Sequence, residues 1–367
     1  MRSLISLIIF LIFTIHSVAQ ESNKAKNIIL LIGDGMGLTQ VSTRVILNDK
    51  PSNFERFLNI GLIKTTSSSH KITDSGAGAT AFSIGMKSYN GSIGVGPDSL
   101  PRQSVCELLS KHDYSTGVIS TSSITHATPA SFYAHVKSRK MEEKIASQLI
   151  ESEIDFFAGG GKEFFFKRKD EINLGDEAIS KGFVIDTISL ESFDINSNNK
   201  LGFLFADDGM PRMLDGRGDF LQAASEKGIE YLSKNESGFF LMIEGSQIDW
   251  GGHANDHDYI RTEMEDFDKV ISAVLDFAEK DGETLVIVLA DHETGGYSLG
   301  SKDVKGEDGK MDRDYSIVEP RFSTGGHTCT MIPVFAYGPG SELFRGIYEN
   351  HKVYFKMLEA LGKLNSN

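Results

Sequence analysis

Three short segments of this chain carry oxygen and imidazole ligands at spacings suited to metal ions. In Asp249-Trp-Gly-Gly-His253 an acid and a histidine stand four residues apart, in what reads as a loop just after Glu244. Asp291-His292 supplies the same two ligand types, and His327 sits in a Gly325-Gly326-His327 turn. Carboxylate oxygen and imidazole nitrogen, with no thiolate, suit zinc. One histidine of this kind is more often structural or solvated. Asp34, Glu244, Asp249, His253, Asp291, His292 and His327 taken together point to a multinuclear metal site.

A nucleophile and an anion clamp lie elsewhere. In Thr73-Asp-Ser-Gly-Ala-Gly-Ala-Thr-Ala81 the small side chains would let a helix beginning near Ser75 pack tightly against a sheet. Backbone amides and the dipole at that helix start would attract phosphate. A serine hydroxyl is a weak nucleophile until a base or a metal activates it. By itself the segment reads equally well as a helix chosen only for close packing. In Thr125-His-Ala-Thr-Pro129, Thr128 offers a hydroxyl to a hard cation. Eleven residues on, in Ser138-Arg-Lys140, Arg139 could grip two phosphate oxygens. A lone Ser-Arg-Lys on a helix is usually solvated surface, so Arg139 gains its weight from its company.

The elements that must position these groups alternate. Apolar, β-branched runs at residues 27–33, 117–120, 202–206, 238–243, 284–290 and 332–336 read as buried strands, with helical patterns at 141–151, 220–232 and 259–279. The alternation predicts an α/β fold, a three-layer αβα sandwich around a largely parallel sheet. Three of the strands run directly into Asp34, Glu244 and Asp291. Ligands bind outside the carboxyl ends of the strands in such sheets, so these acids are expected to converge on one edge. Residues 298–324 are polar and interrupted by glycine, and read as a surface excursion.

Arg2, the apolar residues 4–15 and Ser17-Val-Ala19 form a secretory signal-peptide pattern, too short to span a bilayer. A signal peptide at 1–19 and one domain at 20–367 are therefore expected, with a periplasmic or secreted product. No later stretch is apolar enough for a membrane span. The chain carries 37 basic and 51 acidic side chains. Such a balance disfavours nucleic-acid and anionic-membrane partners. It also repels an anionic substrate, so bound metal ions must supply local positive charge. With Cys106 and Cys329 alone, no disulfide framework holds the fold, and their pairing is left open.

The stretches Asp34-Gly-Met-Gly37, Thr73 to Thr80, His126-Ala-Thr-Pro129, Glu244-Gly-Ser-Gln-Ile-Asp249, Asp291-His-Glu-Thr-Gly-Gly296 and Gly325-Gly-His327 resemble the alkaline phosphatase family, in the family's order and over most of the mature chain. The chain most resembles its compact, cold-adapted marine bacterial members. This resemblance implies that Asp249, His253 and His327 hold a first zinc. Asp34, Ser75, Asp291 and His292 would hold a second. Asp34, Thr128 and Glu244 would hold a third ion, magnesium. Ser75 would be phosphorylated and then hydrolysed, and Arg139 would bind phosphate oxygens. The enteric pattern has Asp in place of His126 and Lys in place of Trp250, which puts both residues beside the substrate and the identity of the third metal in question. Small phosphate monoesters are the implied substrates and a homodimer the implied assembly, built without a large crown insertion. Two alternatives stand beside this reading. One is a phosphodiesterase or sulfatase of the same superfamily, although Ser75-Gly-Ala-Gly-Ala lacks the Pro and Arg of a sulfatase motif. The other is a non-catalytic periplasmic phosphate or metal binder.

Overall fold

The computed structural model describes residues 24–191 and 199–363; the expected signal peptide lies outside them. Its strands are β1 (Asn27–Gly33), β2 (Asn59–Lys64), β3 (Ser115–Ser123), β4 (Phe156–Gly160), β5 (Phe183–Asp186), β6 (Lys200–Leu204), β7 (Phe239–Gly245), β8 (Thr284–Leu289), β9 (Glu293–Thr294), β10 (Tyr297–Lys305), β11 (Met311–Phe322), β12 (His327–Thr328), β13 (Ile332–Tyr337) and β14 (Gly346–Glu349). Ten of them form one sheet in the order β14-β2-β13-β8-β1-β7-β3-β4-β6-β5. Within it β13 runs antiparallel to β2 and β8, and the other pairings are parallel.

The central strands are legible because they are covered on both faces. β1, β7 and β8 are apolar through their centres with every residue buried, as a parallel sheet flanked by helices requires. The expected αβα sandwich is what forms. Its register sets the chemistry. Ile32 of β1 lies opposite Glu244 of β7 and Leu289 of β8, and Glu244 lies opposite Ser120 of β3. Asp34 and Asp291, each two residues beyond that level, and Glu244 at it therefore project from three adjacent strands at the same end of the sheet.

Helices lock this edge. Ser75–Ile84 (SGAGATAFSI) is buried along its whole length. It approaches so closely that a Cβ on Gly78 would lie 2.8 Å from the Asp291 Cβ. The long helix His257–Asp281 starts on Asp256, whose side chain accepts the Tyr259 N–H, and stops at Gly282 with φ 74°. Its buried acids anchor the Leu38–Ile46 helix and one loop, Asp268 on Arg44 at 2.7 Å and Asp266 on Arg217 at 2.9 Å.

Several details depart from the sequence reading. β2, β4, β5 and β14 are additional, short or half-exposed strands whose patterning is weak. The excursion at 298–324 is not irregular: β10 and β11 pair as an antiparallel ribbon with a bulge at Ser301/Lys302. The segment after Glu244 is a helix, Gln247–His253, rather than a loop. Arg139 sits in a turn ahead of the Glu142–Glu151 helix, not on a helix. Cys106 is buried and Cys329 exposed, and both are free. Among the described residues no helix is long and apolar enough to cross a membrane.

Candidate active site

The deepest part of the site is acidic. Asp34, Glu244 and Asp291 are fully buried. Among the described residues, Asp34 Oδ1 and Oδ2, Asp291 Oδ2, Glu244 Oε1 and the Thr128 hydroxyl have no hydrogen-bond partner. Buried polar atoms are almost always partnered, so this group of orphaned oxygens calls for cations. The electrostatics agree. Burial, then the charges of Asp291, Asp249 and Glu244, push the Asp34 carboxyl well above its ordinary range. Burial and the Asp249 charge raise Asp291 to about 6. Burial lifts Glu244 to about 7, even though the Ser120 and Ser246 hydroxyls both donate to its Oε2. His292 Nε2 faces this pool, 3.5 Å from Asp34 Oδ1 and 3.3 Å from Asp291 Oδ2.

A second set lies nearer the surface. Asp249, on the Gln247–His253 helix, has Oδ2 3.3 Å from His253 Nε2 and Oδ1 3.7 Å from His327 Nε2. The two imidazoles meet Nε2 to Nε2 at 3.2 Å. Their Nδ1 atoms are 2.7 Å from the Gly325 carbonyl and 2.9 Å from the Thr73 carbonyl. Carbonyls accept, so each Nδ1 carries a proton; His253 Nε2, when also protonated, donates to Asp249, and on the neutral ring each Nε2 lone pair faces inward. Burial opposes ionisation of Asp249, but the His253 hydrogen bond and the neighbouring imidazoles hold its carboxyl below the usual range. The hydrogen bond to Asp249 in turn raises His253 to about 9.

Ser75 opens its helix, where free N–H groups point outward. Its Oγ is 3.3 Å from His292 Nε2. Arg139 is braced on two sides: its Nη1 donates to Asp74 Oδ2 at 3.1 Å and its Nη2 to His126 Nε2 at 2.9 Å. Burial and the Arg139 charge hold His126 down at about 3, so the ring is neutral and accepts. Trp250, half-buried, meets His126 edge-on at 6.3 Å, while Gly209 gives the indole room: a Cβ there would lie 2.6 Å from the ring.

Ligand atoms fall within 4.8 Å of one another in three groups: Asp249/His253/His327, Asp34/Asp291/His292, and Asp34/His126/Glu244. The twelve residues named from the sequence thus gather at one sheet edge, with His126 drawn into the third group as well as beside Arg139. Two partners were not anticipated. Asp74 caps the Ser75 helix through the Ala77 N–H at 3.0 Å and also holds Arg139. An acid directly before a Gly/Ala helix was the available sign. Thr294 joins Asp249 to His292, and nothing in its sequence context marks it.

A parallel αβα sandwich with acid and imidazole clusters at its strand ends defines a metal-binding hydrolase, and comparison with known proteins narrows the class. The alkaline phosphatase family model matches residues 25–318. Alkaline phosphatase 3 of Bacillus subtilis is 35% identical over 94% of this chain and 91% of its own length. The Escherichia coli alkaline phosphatase is 31% identical over 92% and 86%. The structure of the alkaline phosphatase from the Antarctic bacterium TAB5 is 50% identical, with a TM-score of 0.90, and 94% of this chain covers 100% of it. A histidine-to-aspartate variant of that enzyme, with magnesium in its M3 site, aligns at TM-score 0.91 and 52% identity. The chain belongs to the alkaline phosphatase family. It is a phosphate-monoester hydrolase, and its similarity to an Antarctic enzyme agrees with the expected likeness to cold-adapted bacterial members.

Proposed function

We propose that this enzyme hydrolyses small phosphate monoesters through a phosphoserine at Ser75, served by two zinc ions and one magnesium ion. The observation that carries the reading is the set of buried, unpartnered oxygens around Asp34 beside a serine at the first position of a buried helix. Asp249, His253 and His327 would hold one zinc; Asp34, Asp291, His292 and the Ser75 oxygen the other. Asp34, Glu244 and Thr128 would hold magnesium, with His126 adjoining. Bound there, the ions supply Lewis-acid charge that favours ionised oxygens on the nucleophile, the water and the leaving group.

The chain's own residues do the rest. Asp74 and His126 hold the Arg139 guanidinium in place, and its paired N–H groups would orient the phosphoryl oxygens. The start of the Ser75–Ile84 helix adds positive potential where the phosphoryl group docks. In the first transfer Ser75 Oγ bonds to phosphorus and its proton goes to solvent. The bond from phosphorus to the ester oxygen breaks, and the alcohol leaves with a proton from solvent. In the second transfer water bonds to phosphorus, the bond to Ser75 breaks and inorganic phosphate departs, so protons balance over the cycle.

Metal content measured beside turnover of a monoester, a diester and a sulfate ester tests this reading. Zinc and magnesium with dominant monoester turnover are expected. Dominant diester or sulfate turnover, or full activity without metal, would contradict it. The same reading has residues 1–19 removed on export to the periplasm or medium and two copies forming a homodimer. N-terminal sequencing of the exported product and light scattering check those two points.

A further inference from the structure

Thr294 lies in Asp291-His-Glu-Thr-Gly-Gly296, a segment whose acid and histidine have been given roles and whose threonine has none. It is fully buried at the seam between the two ligand sets. Its backbone pairs with His327 across the short β9–β12 ladder, and its N–H reaches the Gly35 carbonyl at 3.2 Å. The Gln40 amide holds its carbonyl at 2.9 Å. Glycines clear the space around its side chain: a Cβ on Gly35 would lie 2.8 Å from the Thr294 Oγ1, and one on Gly252 2.9 Å from the Thr294 Cβ. A side chain packed this closely has one position.

From there its hydroxyl touches both sets. Thr294 Oγ1 donates to Asp249 Oδ1, and it lies 3.3 Å from His292 Nδ1. A hydroxyl has one proton, and an ionised carboxylate only accepts. The Thr294 proton therefore belongs to Asp249, and the contact with His292 is satisfied only if Nδ1–H donates to Thr294. That leaves the His292 lone pair on Nε2, the atom facing Ser75 Oγ, Asp34 and Asp291. We propose that Thr294 is a positioning residue that couples the two zinc sets, fixing the His292 tautomer on one side and the Asp249 carboxylate on the other. The proposal rests on the metal reading above and assigns it a joint. Such partners of metal ligands typically govern affinity by about 10–100-fold.

The test compares wild type, Thr294→Val and Thr294→Ser as metal-loaded enzymes. Zinc is drawn off with a graded competing chelator and counted as it leaves. Thr294→Val keeps the shape and loses the hydroxyl, so both zinc ions should be released at about 10–100-fold lower chelator strength than in wild type. Thr294→Ser restores the hydroxyl and should return to within a few-fold. A Thr294→Val enzyme that holds both ions as wild type does, or a loss that Thr294→Ser does not rescue, overturns the proposal. Should Thr294→Val fail to fold, nitrogen-15 shifts of His292 in metal-free wild type decide: a proton on Nδ1 is expected, and one on Nε2 overturns it. A loaded wild type that contains no zinc would refute the metal reading itself, a different outcome from any of these.

Discussion

The strand-end acids and the rim around Asp249 solve the same problem in opposite ways. At the rim, charge is balanced within the protein: Asp249 sits among imidazoles, its carboxyl is held low and His253 is held high. At the strand ends Asp34, Glu244 and Asp291 crowd together at zero exposure, and their carboxyls are pushed up. Their backbone positions are dictated by β-sheet register, which cannot relax to separate them. One region can exist as a self-contained hydrogen-bonded cluster; the other is complete only with cations. The difference teaches where metal is optional to the fold and where it is integral.

The largest expected effect falls where the two regions meet. Ser75→Ala should lower kcat on the order of 10⁴-fold or more, leaving a slow residual rate from direct attack by water. Steady-state turnover of a monoester measures it, and near-wild-type turnover would break the assignment.

Metal removal should separate the two regions by pH. In the stripped enzyme burial pushes the Glu244 and Asp291 carboxyls up to about 7 and about 6, above the ordinary carboxylate range of about 4. A raised carboxyl favours the fold while protonated, so this contribution is present below about 4 and is lost as pH climbs through about 6 to 7. The stripped enzyme should therefore lose thermal stability over that window. Zinc and magnesium bind the ionised form and should remove the loss. Melting temperature against pH, with and without metal, provides the check; identical profiles would contradict the contrast drawn here.

Moderate effects are expected at the border of the third group. Trp250→Lys adds a cation near the phosphate, and His126→Asp replaces the neutral acceptor of Arg139 and neighbour of the third ion with a charged carboxylate. The double variant should bind phosphate more tightly, lowering KM and the phosphate inhibition constant. It should also lower kcat if product release limits turnover. The two changes share Arg139 as a neighbour and should not add. Inhibition constants for both single variants and the double test this; a double variant binding phosphate no tighter would remove these side chains from the substrate's surroundings.

The smallest effect belongs to the β10–β11 ribbon. Tyr315 is 80% exposed there. Tyr315→Ser should change stability by no more than about 0.5 kcal/mol and leave kcat/KM unaltered.

This gradient also explains what could be read from the chain alone. β1, β7 and β8 were legible because burial on both faces leaves an unbroken apolar run, and an acid at its end marks the ligand edge. The helix 220–232 was found at its observed bounds because its apolar spacing is regular. Gln247–His253 was hidden because Gly251 and Gly252 weaken any helical pattern. They are there for clearance: a Cβ on Gly251 would meet Ile260 at 2.9 Å, and one on Gly252 would meet Thr294. The ribbon was missed as structure because both its faces are largely wet, which erases alternation. Asp74 had a signal in its capping position. Thr294 had none, because its role depends on which atoms the β9–β12 pairing brings together, and spacing does not encode that.

The central claim is that the phosphoryl group passes through Ser75 at this edge. Quenching the metal-loaded enzyme in acid during turnover of a phosphate monoester, followed by peptide mapping, tests it directly. A phosphorylated peptide containing Ser75, absent from Ser75→Ala, is the predicted result. Rapid turnover with no phosphoserine trapped, or phosphate on a different residue, would contradict it.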